Sequence, residues 1–553
     1  MRWENAMRLR QVVRLSAGLF AWGAAVLSSE AAAEGSSYRY VAYTGQSIPG
    51  GTALYSTFDI PRIGQNGAVA FIAGLDSQLS GVFAGQPGNL NLVAIQDGSA
   101  GGSFITFASF SNIAVNSTGD TAFQTVLSAD GSIDALWSGN SGLGIEAGNG
   151  LGNFANTAVT SLAPPSLNAG NRLAAKLSLA LGSTFGQSTT SALAMGVAGA
   201  MSAVLKAGDA APGIANGTIV NLYDSDVPDD DRPDQNDAGT IAFYATVTQD
   251  GGQTSFGVLY EGQIGSFQPI AIEGQAAPGI PNAVYSFIHE DPSVSSDGKV
   301  AFIADLLSNS EVASVPSQAV FAGQPGALVP IVRTGDTVPT TTDVVFSSLT
   351  RACVNEAGEV VFQAAMRYPN QGSRTSIWVQ RRTGDAVLVA ASGVPFDTPS
   401  GSQQATDVNF AGPGAFNDLH EIAFQASFDN GSGIYLADTR PGAPVITVSA
   451  PRRPRDFVTM QRVISIRGMA IDGTGVAKVE YTVQSGAVKH RGKGRMRHSF
   501  ARRANGDSAW SFQVPLAMGR NEIAITATDK LGNVSKPYRL VILRYQCSAD
   551  HNR

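Results

Sequence analysis

Asn116-Ser117-Thr118-Gly119-Asp120-Thr121-Ala122-Phe123 decides the reading of this chain, because its spacing returns along most of the length. Asn236, Gly239, Ala242 and Phe243 repeat it in full, and Asn355, Gly358, Val361 and Phe362 repeat it with Val in the small position. Gly67, Ala70 and Phe71 keep the spacing without the Asn, Ser295 replaces it ahead of Gly298, Ala301 and Phe302, and Asn417 precedes His420, Ala423 and Phe424. One copy is degenerate, with Asn168, Asn171, Ala174 and Ala175. Aligned on the last position, the seven copies stand 52, 52, 68, 59, 60 and 62 residues apart. Such a period marks a repeat architecture, in which each unit buries its apolar face only against its neighbours.

The motif has a local physical reading. Asn at the head of a tight turn bonds its own backbone, and the Gly three residues later adopts a positive φ at no steric cost. The repeated Asn is therefore expected to be structural rather than a ring of amides around a ligand channel. The Phe alternates with small or polar neighbours at strand period, which makes it core packing between units.

After the motif each copy continues in the same order. A second strand ends near a Gly, as in Gly81 to Gly85 or Ala319 to Gly323; a third runs into a Gly/Pro turn, as in Ile270 to Gly274 before Pro278-Gly279; a fourth, such as Tyr285 to Ile288, leads to the next copy. Four short strands in this length is the size of a propeller blade. The seventh copy stops after Gly433 to Ala437 with no third strand, and Tyr40 to Gly45, followed by Pro49-Gly50, supplies the missing piece at the other end of the region. Pairing the first and last segments removes both exposed sheet edges. The sequence thus favours a closed seven-bladed β-propeller over an open β-solenoid.

Between Tyr40 and Asp438 these motifs resemble the bacterial exported tandem-repeat family described as choice-of-anchor repeats with the NxxGxxAF pattern. The resemblance implies export, commonly a C-terminal surface-sorting anchor, and no assigned activity. Another domain stands here where such an anchor is expected. From Ala443 to Arg544 the pattern changes to longer alternating strands, and Ile523 to Asp529 followed by Gly532, Asn533 and Ser535 resembles bacterial immunoglobulin-like domains. About 100 residues with six or seven strands suits a β-sandwich.

Composition agrees with an all-β, multi-domain chain: 553 residues, 43% apolar and 15% charged, with 62 Gly and 26 Pro, exceed one hydrophobic core and favour short strands with tight turns. The net charge of −7 hides an asymmetry. Residues 36–440 carry 14 Lys+Arg against 34 Asp+Glu, whereas 441–545 carry 18 against 6. Arg8, Arg10 and Arg14 precede an apolar stretch from Leu15 to Leu27 and small residues Ala31 to Ala33, the pattern of a cleaved secretory signal. That stretch is short of the roughly 20 residues a membrane-spanning helix needs. The expected organisation is a signal peptide at 1–33, seven repeats at 38–438, a linker at 439–444, an immunoglobulin-like domain at 445–545 and a tail at 546–553, in a secreted, monomeric protein. Cys353 and Cys547 are too few for a disulfide scaffold and fall in different expected domains, leaving free thiols and one bridge both open.

Two charged segments are candidate sites. An insertion between Glu480 and Asp507 holds Lys489, Arg491, Lys493, Arg495, Arg497, Arg502 and Arg503, with His490, His498 and no acidic residue, and glycines at 486, 492 and 494 to keep it mobile. Such a loop suits an anionic polysaccharide or lipid. It lacks the interleaved aromatics of a base-stacking groove, which argues against nucleic acid. The other segment carries Asp224, Asp226, Asp229, Asp230, Asp231, Asp234 and Asp237, of which Asp224, Asp226, Asp229 and Asp231 form a candidate Ca²⁺ site, since that ion takes six to eight oxygens. The competing reading of each is a solvated loop.

No catalytic residue is assigned. The five His lack zinc-ligand spacing, and neither a nucleophile elbow nor a phosphate loop is present. His289, Glu290 and Asp291 are the only local titratable cluster worth testing, with a plain turn as the alternative. The function read from the sequence is a non-enzymatic binding or cell-surface protein. The alternative is an extracellular carbohydrate-active hydrolase or lyase whose two carboxylates face each other across a propeller funnel.

Overall fold

A computed structural model describes residues 38–545 apart from 183–188, 224–230, 309–316, 487–497 and several shorter stretches. The signal-peptide region, Cys547, Asp224, Asp226, Asp229 and the basic run from Lys489 to Arg497 lie outside the described residues. Every regular element among the described residues is a β-strand, so the protein is all-β. The chain divides into two compact units at Thr439/Arg440, where the charge changes sign.

The first unit holds seven antiparallel sheets of four or five strands, together with the hairpin Pro395–Thr398/Gly401–Gln404, among the described residues. One sheet shows the plan: Ala283–Ile288 and Ser293–Val294 pair with Val300–Ser308, which pairs with Ser317–Gly323, which pairs with Val329–Arg333. The motif turn stands before the Val300–Ser308 strand. The strand that holds Tyr285 to Ile288 leads to the next copy and hydrogen-bonds to that copy's motif strand. The sheet boundary falls at Pro278-Gly279, where Gly279 takes φ 74° and a Cβ would sit 2.7 Å from the Pro330 ring.

The small-then-Phe pair explains how neighbouring sheets pack. Successive side chains on a strand point to opposite faces. Thus Ala242 packs with Tyr285, Phe302 and Phe321 of the following sheet, whereas Phe243 packs with Leu193 and Met195 of the preceding one. Ala70 and Phe71 divide in the same way. Each motif Phe therefore meets a face kept flat by a small residue. Four of them also stack on an aromatic of their own sheet: Phe71 on Phe83 at 5.7 Å, Phe243 on Tyr260 at 5.4 Å, Phe302 on Phe321 at 5.6 Å and Phe424 on Tyr435 at 5.8 Å.

The strand Tyr38–Tyr43 pairs with Gly431–Asp438 and so completes the last sheet. Its register is that of an ordinary third strand. Tyr435 faces Tyr40 and Ile434 faces Ala42, skipping one residue, just as Phe83 faces Leu92 and Val82 faces Ala94 in the first sheet. The same one-residue bulge occurs at Phe321/Pro330 and Val320/Val332. The last and first sheets then share one core, with Ala423, Ile434 and Leu436 against Tyr55, Phe71 and Phe83.

The motif turns form a second set of links. Asn116 Oδ1 accepts from the Thr118 and Asp120 backbone N–H groups at 3.0 and 2.9 Å, the local bond read from the sequence. Its Nδ2 does more, donating at 3.0 Å to the carbonyl of Asn168, the same position in the next repeat. Asn236 does so to Ser295 at 2.9 Å, and Asn417 to Gly64 at 3.1 Å, joining the seventh repeat to the first. The following position adds a parallel ladder: Ala169 N–H to Asp237, Glu356 N–H to Asp418, and Asp418 N–H to Gln65, at 2.6 to 2.7 Å. In the two copies without the motif Gly, Asn171 and His420 occupy the left-handed region at φ 55° and 59°.

Gly64 stands where the other repeats have Asn or Ser because a Cβ there would lie 2.3 Å from the Asn116 carbonyl oxygen. Gly64→Ala must push backbone against backbone, and we expect a loss of about 1–3 kcal/mol, read as a lower midpoint in urea unfolding with unchanged slope.

The second unit has two sheets. Val445–Ala450, Val463–Ile471 and Ala509–Pro515 form one; Phe457–Thr459, Tyr538–Arg544, Gly519–Asp529, Val476–Gly486 and His498–Arg503 form the other. They enclose a common core that includes Ile466, Val479, Tyr481, Trp510, Phe512, Ile525 and Ile542. The insertion expected from Glu480 to Asp507 is therefore shorter than its sequence suggested. Val476–Gly486 continues past Glu480 because Tyr481, Val483 and Ser485 keep alternate positions buried, and His498–Arg503 returns alongside it. Arg502 and Arg503 thus sit exposed on a strand rather than in a mobile loop, with Arg503 donating to the Ala477 carbonyl at 2.8 Å.

Candidate functional site

All seven repeats contribute to one small cavity of about 80 Å³ in the first unit. The residue just before each motif position lines it: Ile63, Val115, Leu167, Gln235, Val294, Val354 and Phe416. Six are apolar and the fourth repeat breaks the series with Gln235. One residue earlier stand Arg62, Ala114, Ser166, Asp234, Ser293, Cys353 and Ala415, a mixed layer of small and polar groups. Ser293 Oγ donates to Cys353 Sγ at 3.3 Å, and the Val294 N–H donates to Asp234 at 2.9 Å. Burial pushes the Cys353 thiol up to about 11, so it is held as a neutral, unreactive group.

Three arginines meet near this layer. Arg62 donates to the carbonyls of Ala411, at 3.1 Å, and of Pro413. Arg232 is 4% exposed and donates to the Ile113 carbonyl at 3.3 Å. Arg351 faces Asp291 at 3.6 Å. Burial drives the Arg62 pKa well below its ordinary value, and the like charges of Arg232 and Arg351 lower it further, against the partial support of Asp234. Burial likewise lowers Arg232 and raises Asp234, each opposed by the other's charge. A guanidinium does not give up its proton in a protein. Such a setting is relieved instead by a nearby negative group.

Arg62 and Arg351 also line a second, larger cavity of about 390 Å³, with Phe58, Asp59, Ile60, Ile72, Ser111, Asn112, Ile113, Ala411 and Gln425. Asn112 takes φ 48° and donates to Gln124 at 2.5 Å, while Gln425 donates to the Phe58 carbonyl at 2.7 Å. Asp59 is the only carboxylate among the lining residues, and burial raises its pKa. The cavity can hold an anionic group between guanidiniums in the bidentate manner of arginine. Two facing carboxylates, the geometry of a glycosidase, are not found among its lining residues.

Of the four candidate Ca²⁺ ligands read from the sequence, only Asp231 is among the described residues. Asp231 is fully buried and paired with the fully buried Lys176; Asp234 lies in the arginine layer; Asp237 caps a turn. Among the described residues, no group of three or more His, Cys, Asp or Glu side chains is placed to hold a metal ion. His289, Glu290 and Asp291 separate: His289 meets Asp305 at 3.1 Å, Asp291 meets Arg351, and Glu290 is buried near Tyr244. The arginines were missed. Their signal was available, because Arg232 and Arg351 each stand four residues before a motif Asn, and basic residues are scarce in this acidic region.

A family model described as "Family of unknown function (DUF7453)" matches residues 11–232 and again 228–441. The chain belongs to this family. Its second match begins at the fourth repeat, where the spacing is longest. No curated protein matches the sequence. Solved structures with some likeness include a fungal alcohol oxidase of the AA5 family in complex with copper, 9% identical, covering 92% of this chain and 100% of its own, TM-score 0.29. A mutant Aleuria aurantia lectin in complex with alpha-methyl-L-fucoside is 9% identical over 63% of this chain and 99% of its own, TM-score 0.24. A Schwanniomyces occidentalis beta-fructofuranosidase complexed with fructosyl-erythritol is 8% identical over 92% of each chain, TM-score 0.21. TM-scores this low carry no argument about fold or function.

Proposed function

We propose that this protein is an exported, non-enzymatic binding protein of the cell surface or periplasm, in which a seven-bladed β-propeller presents an anion-binding funnel and an immunoglobulin-like sandwich spaces or attaches it. The propeller reading is supported by the seventh-to-first links through Asn417 and Asp418 and by the bulge shared by the Tyr38–Tyr43 strand. The immunoglobulin-like reading is supported by two sheets on one core and by the parallel pairing of Phe457–Thr459 with Tyr538–Arg544. Secretion and kinship with choice-of-anchor repeat proteins rest on the sequence.

The observation that carries the binding function is the pair Arg62 and Arg351 at the wall of the larger cavity, where Asp59 is the one lining carboxylate and Arg351 also meets Asp291 from outside the lining. The ligand class is an acidic polysaccharide or another anionic envelope component, and the basic residues between Lys489 and Arg503 are a second contact for it. A glycan array run beside hydrolysis assays on the same polysaccharides tests this. Uronic-acid polymers are expected to bind, to be recovered uncut, and to bind more weakly at high salt. Arg351→Gln is expected to lower the affinity about tenfold or more, while deletion of 487–497 weakens polymers more than monosaccharides. Shortened products, or binding indifferent to salt and to Arg351→Gln, overturn the reading.

A further inference from the structure

The smaller cavity is lined by three residues with a buried polar atom that has no partner among the described residues: Arg232 Nε, Gln235 Oε1 and Ser166 Oγ. Their residues are 4%, 7% and 2% exposed. Each unmet buried group costs about 1–3 kcal/mol, so three in one cavity call for an occupant. The orientation of Gln235 is fixed, since its Nε2 donates to the Ser166 carbonyl at 3.0 Å and to the Arg172 carbonyl at 2.8 Å, and its oxygen is the amide atom left without a partner among the described residues. The fourth repeat alone departs here from the apolar residue that the other six carry. Exposed Asp237 and Ser296 also line the cavity and give it a route to solvent.

We propose that this cavity binds a small α-hydroxy acid. Its carboxylate accepts from Arg232 Nε and from the Ser166 hydroxyl, and its hydroxyl donates to Gln235 Oε1. The positive side of the match is Arg232, with Arg62 behind it, and the buried Asp234 that lines the same cavity offsets part of that charge; the neutral acceptor is what separates a hydroxy acid from a plain carboxylate. Water, with the same donors and acceptors but no charge, is the competing occupant. Arg62 stands between this site and the larger cavity, but none of the three recognising atoms belongs to the larger cavity, so the proposal does not rest on the polysaccharide reading.

Calorimetric titration and thermal melting of the full chain test it with three probes. Glycolate has both groups, acetate lacks the hydroxyl and ethylene glycol lacks the charge. Glycolate is expected to bind and raise the melting temperature, acetate to bind about tenfold more weakly, and ethylene glycol not to bind. Gln235→Leu restores the apolar residue of the other repeats and is expected to bring glycolate down to the acetate level. Ser166→Ala, which matches Ala114 and Ala415, weakens both acids and provides a second folded variant. Equal binding of glycolate and acetate, binding unmoved by Gln235→Leu, or no binding of any probe overturns the proposal.

Discussion

A chain that begins at Thr44, without the strand Tyr38–Tyr43, is expected to lose its cooperative melting transition and to associate. That strand buries Val41, Ala42 and Tyr43, sets the Tyr38 ring 4.9 Å from Phe396, bonds the Tyr38 hydroxyl to the Val389 carbonyl, and places Arg39 on Glu421 at 3.2 Å. Burying a large apolar side chain stabilises by about 1.5–3 kcal/mol. Val41 and Tyr43 are two such side chains, worth about 3–6 kcal/mol together, a large part of the whole stability of a domain, about 5–15 kcal/mol. Removal also bares the hydrogen-bonding edge of Gly431–Asp438, and an open edge recruits other chains. Calorimetry and size-exclusion chromatography read both effects, and a peptide of residues 36–45 added in trans should restore the transition. A monomer melting unchanged would mean that the seventh sheet does not need its fourth strand.

Lys176→Met is expected to cost about 3–5 kcal/mol, because it leaves the Asp231 carboxylate in the interior without its lysine. Both side chains are 0% exposed, and the Lys176 ammonium also lies 5.8 Å from the Tyr244 ring. The double change Lys176→Met with Asp231→Leu should recover most of the loss, since an apolar pair of similar volume meets no desolvation penalty. Urea unfolding of both variants separates the two outcomes. A single variant as stable as the parent would show that Asp231 is served by other partners.

Repetition made the fold legible. Seven copies of one spacing announced seven sheets, the left-handed turn residue, and the need for Tyr40 to Gly45 to complete the last copy, because each of these follows from backbone geometry that a short segment contains. The strands of the second unit were legible for a similar reason: alternation over Val463 to Ile471 needs no knowledge of the partner strand. Where alternation is masked by charge, as from Glu480 to Arg503, the sequence looked like a loop and the structure has two paired strands.

The candidate site was not legible, and the physics explains why. Arg62, Ser166, Arg232, Gln235 and Arg351 lie up to 289 positions apart, and the one local signal, Arg232 and Arg351 four residues before a motif Asn, does not say what they face until the repeats bring these residues to the two cavities. The acidic run at Asp224 to Asp237 shows the converse. As a string it looks like one cluster, but Asp231, Asp234 and Asp237 go to Lys176, to the arginine layer and to a turn amide. Sequence by itself determined what each repeat is, since the turn and strand chemistry is short-range. Tertiary structure alone decided which departures from the repeat face one another, because charges and unmet hydrogen bonds act through space and only the packing of the sheets sets those distances.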